Sequence, residues 1–257
     1  MPDTAEQGAP APTARIAERA LCELLDRALI AALRDTDADP ARVPVLIEGA
    51  PNKVRMVATD NHRLSVAERE CAGPGLPPRL LVRPKHLADL RDGLRARSQA
   101  EVTLRVTEAG LAVEGAADRV LPFERDDIFP AYQRILASPA VTAEVLCEDL
   151  LAALRRVAAF ADRSNPRFRP VRLELGPGRL RVSVPDASRA VLTATVPSSY
   201  TGKPLSIGFN ARYLAQALRL HPSRDIITIG LTDERSPAII SGLRDPGFTY
   251  AVMPMLL

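Results

Sequence analysis

The sequence predicts an α+β protein built from two similar units, each with two helices packed on antiparallel sheet. Three observations carry this reading. Four amphipathic stretches repeat apolar residues with helical period. Short alternating segments bounded by turn formers fill the space between them. The 23 prolines suit the frequent corners of antiparallel sheet better than a helical bundle. At 257 residues, with 46% apolar and 25% charged, the chain can bury real cores and has the make-up of an ordinary globule.

Residues 1–13 are acidic and rich in Pro and Ala, without a basic-then-apolar signal pattern, and are expected to form a disordered leader. The stretch RIAERALCELLDRALIAALRD places Ile16, Ala20, Leu24 and Ala28 near one face, and predicts one helix or a bent pair. DTDADPAR reads as a loop. VPVLIEG, VRMVATD, RLSVAER and PRLLVR follow as short strands. Pro84 opens a second helix that turns Leu87, Leu90 and Leu94 inward. EVTLRVTE, GLAVEGA and ADRVLPFE read as further strands, and DIFPAYQRIL leads away to a boundary near 137–143.

The second half repeats the pattern. CEDLLAALRRVAAFADR is helical, with Leu150, Leu151, Leu154, Val157 and Ala158 as its inner set. VRLELG, GRLRVSVPD, AVLTATVP and LSIGFN read as strands, ARYLAQALRLH as a helix, and DIITIGLTD, AIISGLRD and FTYAVMPM as closing strands. Leu46 precedes Leu87 by the same interval as Leu173 precedes Leu214, which suggests two copies of one helix-and-sheet unit spanning 14–137 and 142–257.

The residues that mark chemistry are sparse. There is no GxGxxG, Walker loop, HExxH or nucleophile elbow, so neither a catalytic residue nor a cofactor is expected. His62, His86 and His221 are too scattered for a metal triad, and Cys22, Cys71 and Cys147 lack metal or disulfide spacing, which fits a reducing compartment. No run of apolar residues approaches a membrane span. A net charge of +3 is modest, so any nucleic-acid contact must come from an uneven distribution. Arginines supply one: Arg83 and Lys85 at the second helix, Arg155 and Arg156 on the third, and Arg212 and Arg219 two turns apart on the fourth. A solvated charged face is the plain reading of each helix alone; together they could line a phosphate track.

Four strings in order, MVATDNHRLS, DIFPAYQRIL, IGFNARYLAQALR and the closing YAVMPMLL, resemble the bacterial replicative sliding clamp family, the beta subunit of DNA polymerase III. The likeness covers nearly everything after residue 13. Members of that family carry three similar domains and close in pairs as a ring around duplex DNA. This chain resembles the middle and last domains. The resemblance implies two clamp-like domains and a non-enzymatic DNA polymerase processivity factor that encircles duplex DNA. It also implies a cytoplasmic, nucleoid-associated location. Three two-domain chains would supply the six domains of a ring, a homotrimer. The alternative is a ring-incompetent clamp-like module, acting as an accessory to or competitor for clamp-binding proteins in replication or repair.

The resemblance further implies a pocket for short peptides of DNA polymerases, the clamp loader or repair proteins. Carried over by position, it comprises Thr59, Asn61, His62, Arg63 and Leu64 with Val252, Met253, Pro254, Met255 and Leu257. Asn61 replaces the family's usual glycine and can still adopt a left-handed backbone. Leu256 stands where arginine is common, and Ala137 where a proline often follows the FPxY run. The family's helices face DNA, which would place Arg83, Lys85, Arg155, Arg156, Arg212 and Arg219 toward phosphates.

Overall fold

One sequence of elements occurs twice along the chain. In the computed structural model, which describes residues 12–32, 43–96, 98–115, 118–125, 128–159, 169–184 and 193–257, the first unit runs β1 (Thr13–Ala17), α1 (Glu18–Ala32), β2 (Val45–Ala50), β3 (Lys53–Thr59), β4 (Arg63–Glu70), β5 (Ala72–Gly75), β6 (Leu80–Val82), α2 (Pro84–Gly93), β7 (Glu101–Thr107), β8 (Gly110–Glu114) and β9 (Arg119–Leu121). The second runs β10 (Val141–Leu146), α3 (Cys147–Ala158), β11 (Pro170–Gly176), β12 (Arg179–Ser183), β13 (Thr193–Pro197), β14 (Leu205–Asn210), α4 (Ala211–Leu218), β15 (Ile226–Leu231), β16 (Ala238–Gly242) and β17 (Asp245–Val252).

Each unit folds into two antiparallel sheets with equivalent strand orders. The first has β1-β7-β8-β9, extended by β5 beside β1, and β4-β3-β2-β6. The second has β10-β15-β16-β17 and β13-β12-β11-β14. β17 pairs with β4, from Phe248↔Ala67 to Val252↔Arg63, and fuses one sheet of each unit into eight strands. The seam between the units is therefore itself a hydrogen-bonded ladder.

The helices form where the apolar period demands. α1 buries Leu21, Leu24, Leu25 and Ala28, and α3 buries Leu150, Ala153, Leu154 and Val157. Burying each leucine contributes ~1.5–3 kcal/mol before entropy is counted. Asn210 caps α4 by accepting from the Arg212 amide at 3.0 Å, and Pro84 sits in the first turn of α2, where its missing N–H costs nothing.

Several elements differ from the sequence reading. The helix expected from residue 15 begins at Glu18, and Thr13–Ala17 form β1 instead, paired with β7. Ala14 and Ile16 alternate inward, so this short run satisfies strand and helix periods alike and tertiary pairing decides. Thr13, placed in the leader by sequence, is the first residue of that strand; residues 1–11 lie outside the described residues. β10, read as an irregular boundary, alternates buried Ala143 and Val145 and pairs with β15. β5, AGPG, was not anticipated because glycines there adopt φ of 108° and 92°. The DTDADPAR loop lies outside the described residues.

The internal repeat has a different register from the one read off leucine spacing. Val45 faces Val82, the residue before the cap of α2, as Val171 faces Phe209, the residue before the cap of α4. Leu173 therefore matches Ile47, not Leu46. Ile47 and Leu173 point into the main core, whereas Leu46 lies in a second cluster on the opposite sheet face. A shift of one residue reverses the face, which explains the error. Phe129 and Tyr132, from FPAY, close that second cluster over Val57, Leu64, Val66, Leu81 and Ala251. The connecting segment is thus a strap across the outer sheet face.

Candidate functional site

The TDNHRL turn joins β3 to β4 at the seam, and side chains hold its shape. Thr59 Oγ1 donates to the Arg63 carbonyl at 2.8 Å and accepts from the Asn61 amide at 3.2 Å. Asp60 Oδ1 accepts from the amides of His62 and Arg63 at 3.0 and 3.1 Å, the arrangement of an Asx-turn. Asn61 takes the left-handed conformation, φ 69°, anticipated for it. Arg63 folds back under the turn, its Nε 3.0 Å from Asp60 Oδ2. Its guanidinium lies 4.2 Å from the Tyr213 ring centroid of α4 and also donates to Gln216. Burial works against the charge, but the neighbouring Tyr250 hydroxyl and Asp60 carboxylate raise the Arg63 pKa and keep it protonated.

The last residues of the sequence run from β17 past this turn. The Met253 amide donates to the His62 carbonyl at 2.8 Å, and the Met255 amide donates to Gly208 of β14 at 2.8 Å. Leu257 lies over Gly208, in space that a side chain at 208 would occupy. The segment is held by backbone bonds at two points, yet Met253 remains 41% and Leu257 46% exposed.

The residues carried over for the pocket thus divide in two. Asn61, His62, Met253 and Leu257 are exposed and Pro254 and Met255 half-buried, all on the turn and tail that the Met253–His62 bond brings together. Thr59, Arg63, Leu64 and Val252 are buried and hold those walls from behind. Gly208, Tyr213 and Gln216 escaped sequence reasoning; the glycine inside LSIGFN was the one signal of a close backbone approach there.

A basic cleft of about 670 Å³ opens between α3 and α4. Arg155, Arg212 and Arg219 line it as the helix stripes suggest, together with Arg169, over a floor of Leu154, Ala158, Ala211 and Ala215. Among the described residues no carboxylate lines it. Arg156 is not part of the lining. In the first unit, Arg83 is clamped by Glu124 at 2.5 and 3.0 Å, while Lys85 is exposed at the start of α2. The first-unit cations therefore lie apart from the cleft, and one of them is neutralised.

Comparison with known proteins fits this arrangement. Residues 134–256 match the model of the DNA polymerase III beta subunit, C-terminal domain. The chain is similar to part of a beta sliding clamp. It is 32% identical over 213 residues to the beta sliding clamp of Caulobacter vibrioides, covering 81% of this chain and 55% of the relative. It is 33% identical to that of Synechococcus elongatus, covering 80% and 56%. The chain spans about half the length of these curated relatives. A crystal structure of the Caulobacter crescentus beta sliding clamp superposes with a TM-score of 0.84 at 25% identity, covering 100% of this chain and 69% of that one. The clamp from Pseudomonas aeruginosa gives 0.83 at 24% identity, covering 100% and 70%, a likeness of fold. Among the described residues of this chain no helix is long and apolar enough to cross a membrane.

Proposed function

We propose that this clamp-like chain is a DNA-associated docking module, which captures short apolar peptides of replication or repair proteins at the seam between its units. The observation that carries the reading is the 2.8 Å bond from the Met253 amide to the His62 carbonyl, which sets the exposed tail beside the exposed face of the turn. Methionines repack cheaply around varied partners, and Pro254 stiffens the segment that presents them. Each Leu or Phe anchor of a peptide would add ~1.5–3 kcal/mol before ordering costs, so two anchors support a weak, exchangeable contact. DNA polymerase, clamp-loader and repair proteins bearing such motifs are the partners this chemistry suits. The arginine cleft between α3 and α4 supplies sequence-indifferent contact with the phosphates of duplex DNA.

This reading corresponds to an accessory or competitor for clamp-binding proteins and does not depend on encirclement of DNA. Titration of a fluorescent clamp-type peptide tests it. Deleting Met253–Leu257 is expected to abolish capture while the melting curve stays cooperative; unchanged affinity in the folded deletion variant overturns the reading.

A further inference from the structure

The internal repeat sets two clefts in equivalent places. α1 packs against α2 and α4, and α4 against α3, so the four helices form a row. Each unit therefore has a gap between its own two helices. The helices match in register: Leu21, Leu150, Leu87 and Leu214 are each the fourth residue of their helix, and all four are buried.

The gap between α1 and α2 holds a cleft of about 370 Å³, lined in part by Asp26, Leu29, Ile30, Ala88, Arg91 and Asp92. Position by position it is the counterpart of the arginine cleft between α3 and α4. Leu29, Ile30 and Ala88 stand where that cleft has Ala158, Ala159 and Ala215. Asp26 stands in the place of Arg155, and Asp92 in the place of Arg219. At both positions the sign of the charge is reversed.

Two further features set the first cleft against an anion. Arg91, its one lining cation among the described residues, is spent on Asp26, donating to both carboxylate oxygens at 2.7 and 2.9 Å. Leu29 and Ile30 also fill space that the two alanines leave open, and the arginine cleft is the larger at about 670 Å³. Lys85 keeps the sign of its counterpart Arg212, but it is exposed at the start of α2 and is not part of the lining.

We infer that the chain holds duplex DNA through the helices of its second unit, while Asp26 and Asp92 keep the equivalent face of the first unit off the phosphates. This rests on the phosphate reading of the arginine cleft. A phosphate brought to the first cleft meets a carboxylate at each place where the second cleft offers a guanidinium, so no counterion release compensates its approach. The grip is one-sided: it draws on few phosphates and leaves the first unit clear of the backbone.

Duplex titration over a salt series, read by fluorescence anisotropy, tests this on the full chain and three variants, with cooperative melting as the check on folding. Arg155→Glu is expected to weaken binding by about tenfold, and Lys85→Glu by less than about twofold. Asp92→Arg, which leaves the Arg91–Asp26 pair in place, should tighten binding by about fivefold and raise the salt slope by about 1. Equal losses for Lys85→Glu and Arg155→Glu overturn the one-sided grip and leave the phosphate reading standing, as does an Asp92→Arg variant that gains neither affinity nor slope. A parent chain that binds no duplex at low salt overturns both.

Discussion

Asp60 and Arg63 form an ion pair in which both side chains are only 3% exposed, directly beneath the turn that accepts the Met253 amide. A buried pair is weak evidence of net stability, but removing one partner leaves the other charged and desolvated. Asp60→Ala is expected to cost about 3–5 kcal/mol, read as a lowered urea midpoint at constant slope. A change below about 1 kcal/mol would mean that Tyr213 and Gln216 suffice to hold the guanidinium.

Asn61 supports the turn through its backbone. Because its φ is 69°, Asn61→Gly should be tolerated, whereas Asn61→Val should cost about 1–2 kcal/mol and reduce peptide capture. Thermal melts of the two variants beside the parent decide this. Equal stability would show that the turn relaxes to another conformation.

The arginine cleft predicts a particular form of DNA dependence. Arg212→Glu with Arg219→Glu should weaken duplex binding regardless of sequence and lower the salt slope by about 2. Fluorescence anisotropy over a salt series measures both quantities. Binding that is unaltered in affinity and slope removes these residues from phosphate contact.

Acid sensitivity should trace to His221. Burial holds this imidazole below its usual range, against the upward pull of Asp225, whose Oδ2 lies 3.4 Å from Nδ1. The unfolded chain protonates at about 6.5, before the folded one, so the neutral form's stabilisation is complete above that pH and is lost as acidification proceeds toward the depressed folded value. The melting temperature should fall below about pH 6.5, and His221→Gln should flatten that fall. An unchanged slope in the variant would place the sensitivity elsewhere.

How much of this was legible beforehand depended on sequence distance. Alternation in EVTLRVTE and the leucine stripes of α2 and α3 are local patterns, and they marked strands and helices directly. The tail and the TDNHRL turn were associated through the family likeness of their strings, not through any local signal. Arg63 over Tyr213 and Arg27 with Asp245 join residues far apart in the chain, and nothing in their neighbourhoods announces the partner. β10 was missed because VTAEVL adjoins a helix start without a turn former, so its two-residue alternation merged with the boundary. Nor did spacing along the helices show that Glu124 closes on Arg83 or that Arg156 stands outside the cleft that Arg155, Arg212 and Arg219 line.

The ladder between β17 and β4 has a mechanical meaning. Because the turn and the tail extend from strands of one continuous sheet, they cannot open like jaws without breaking main-chain bonds. On the docking reading, an arriving peptide would meet a rigid mould and lose mainly its own freedom on binding.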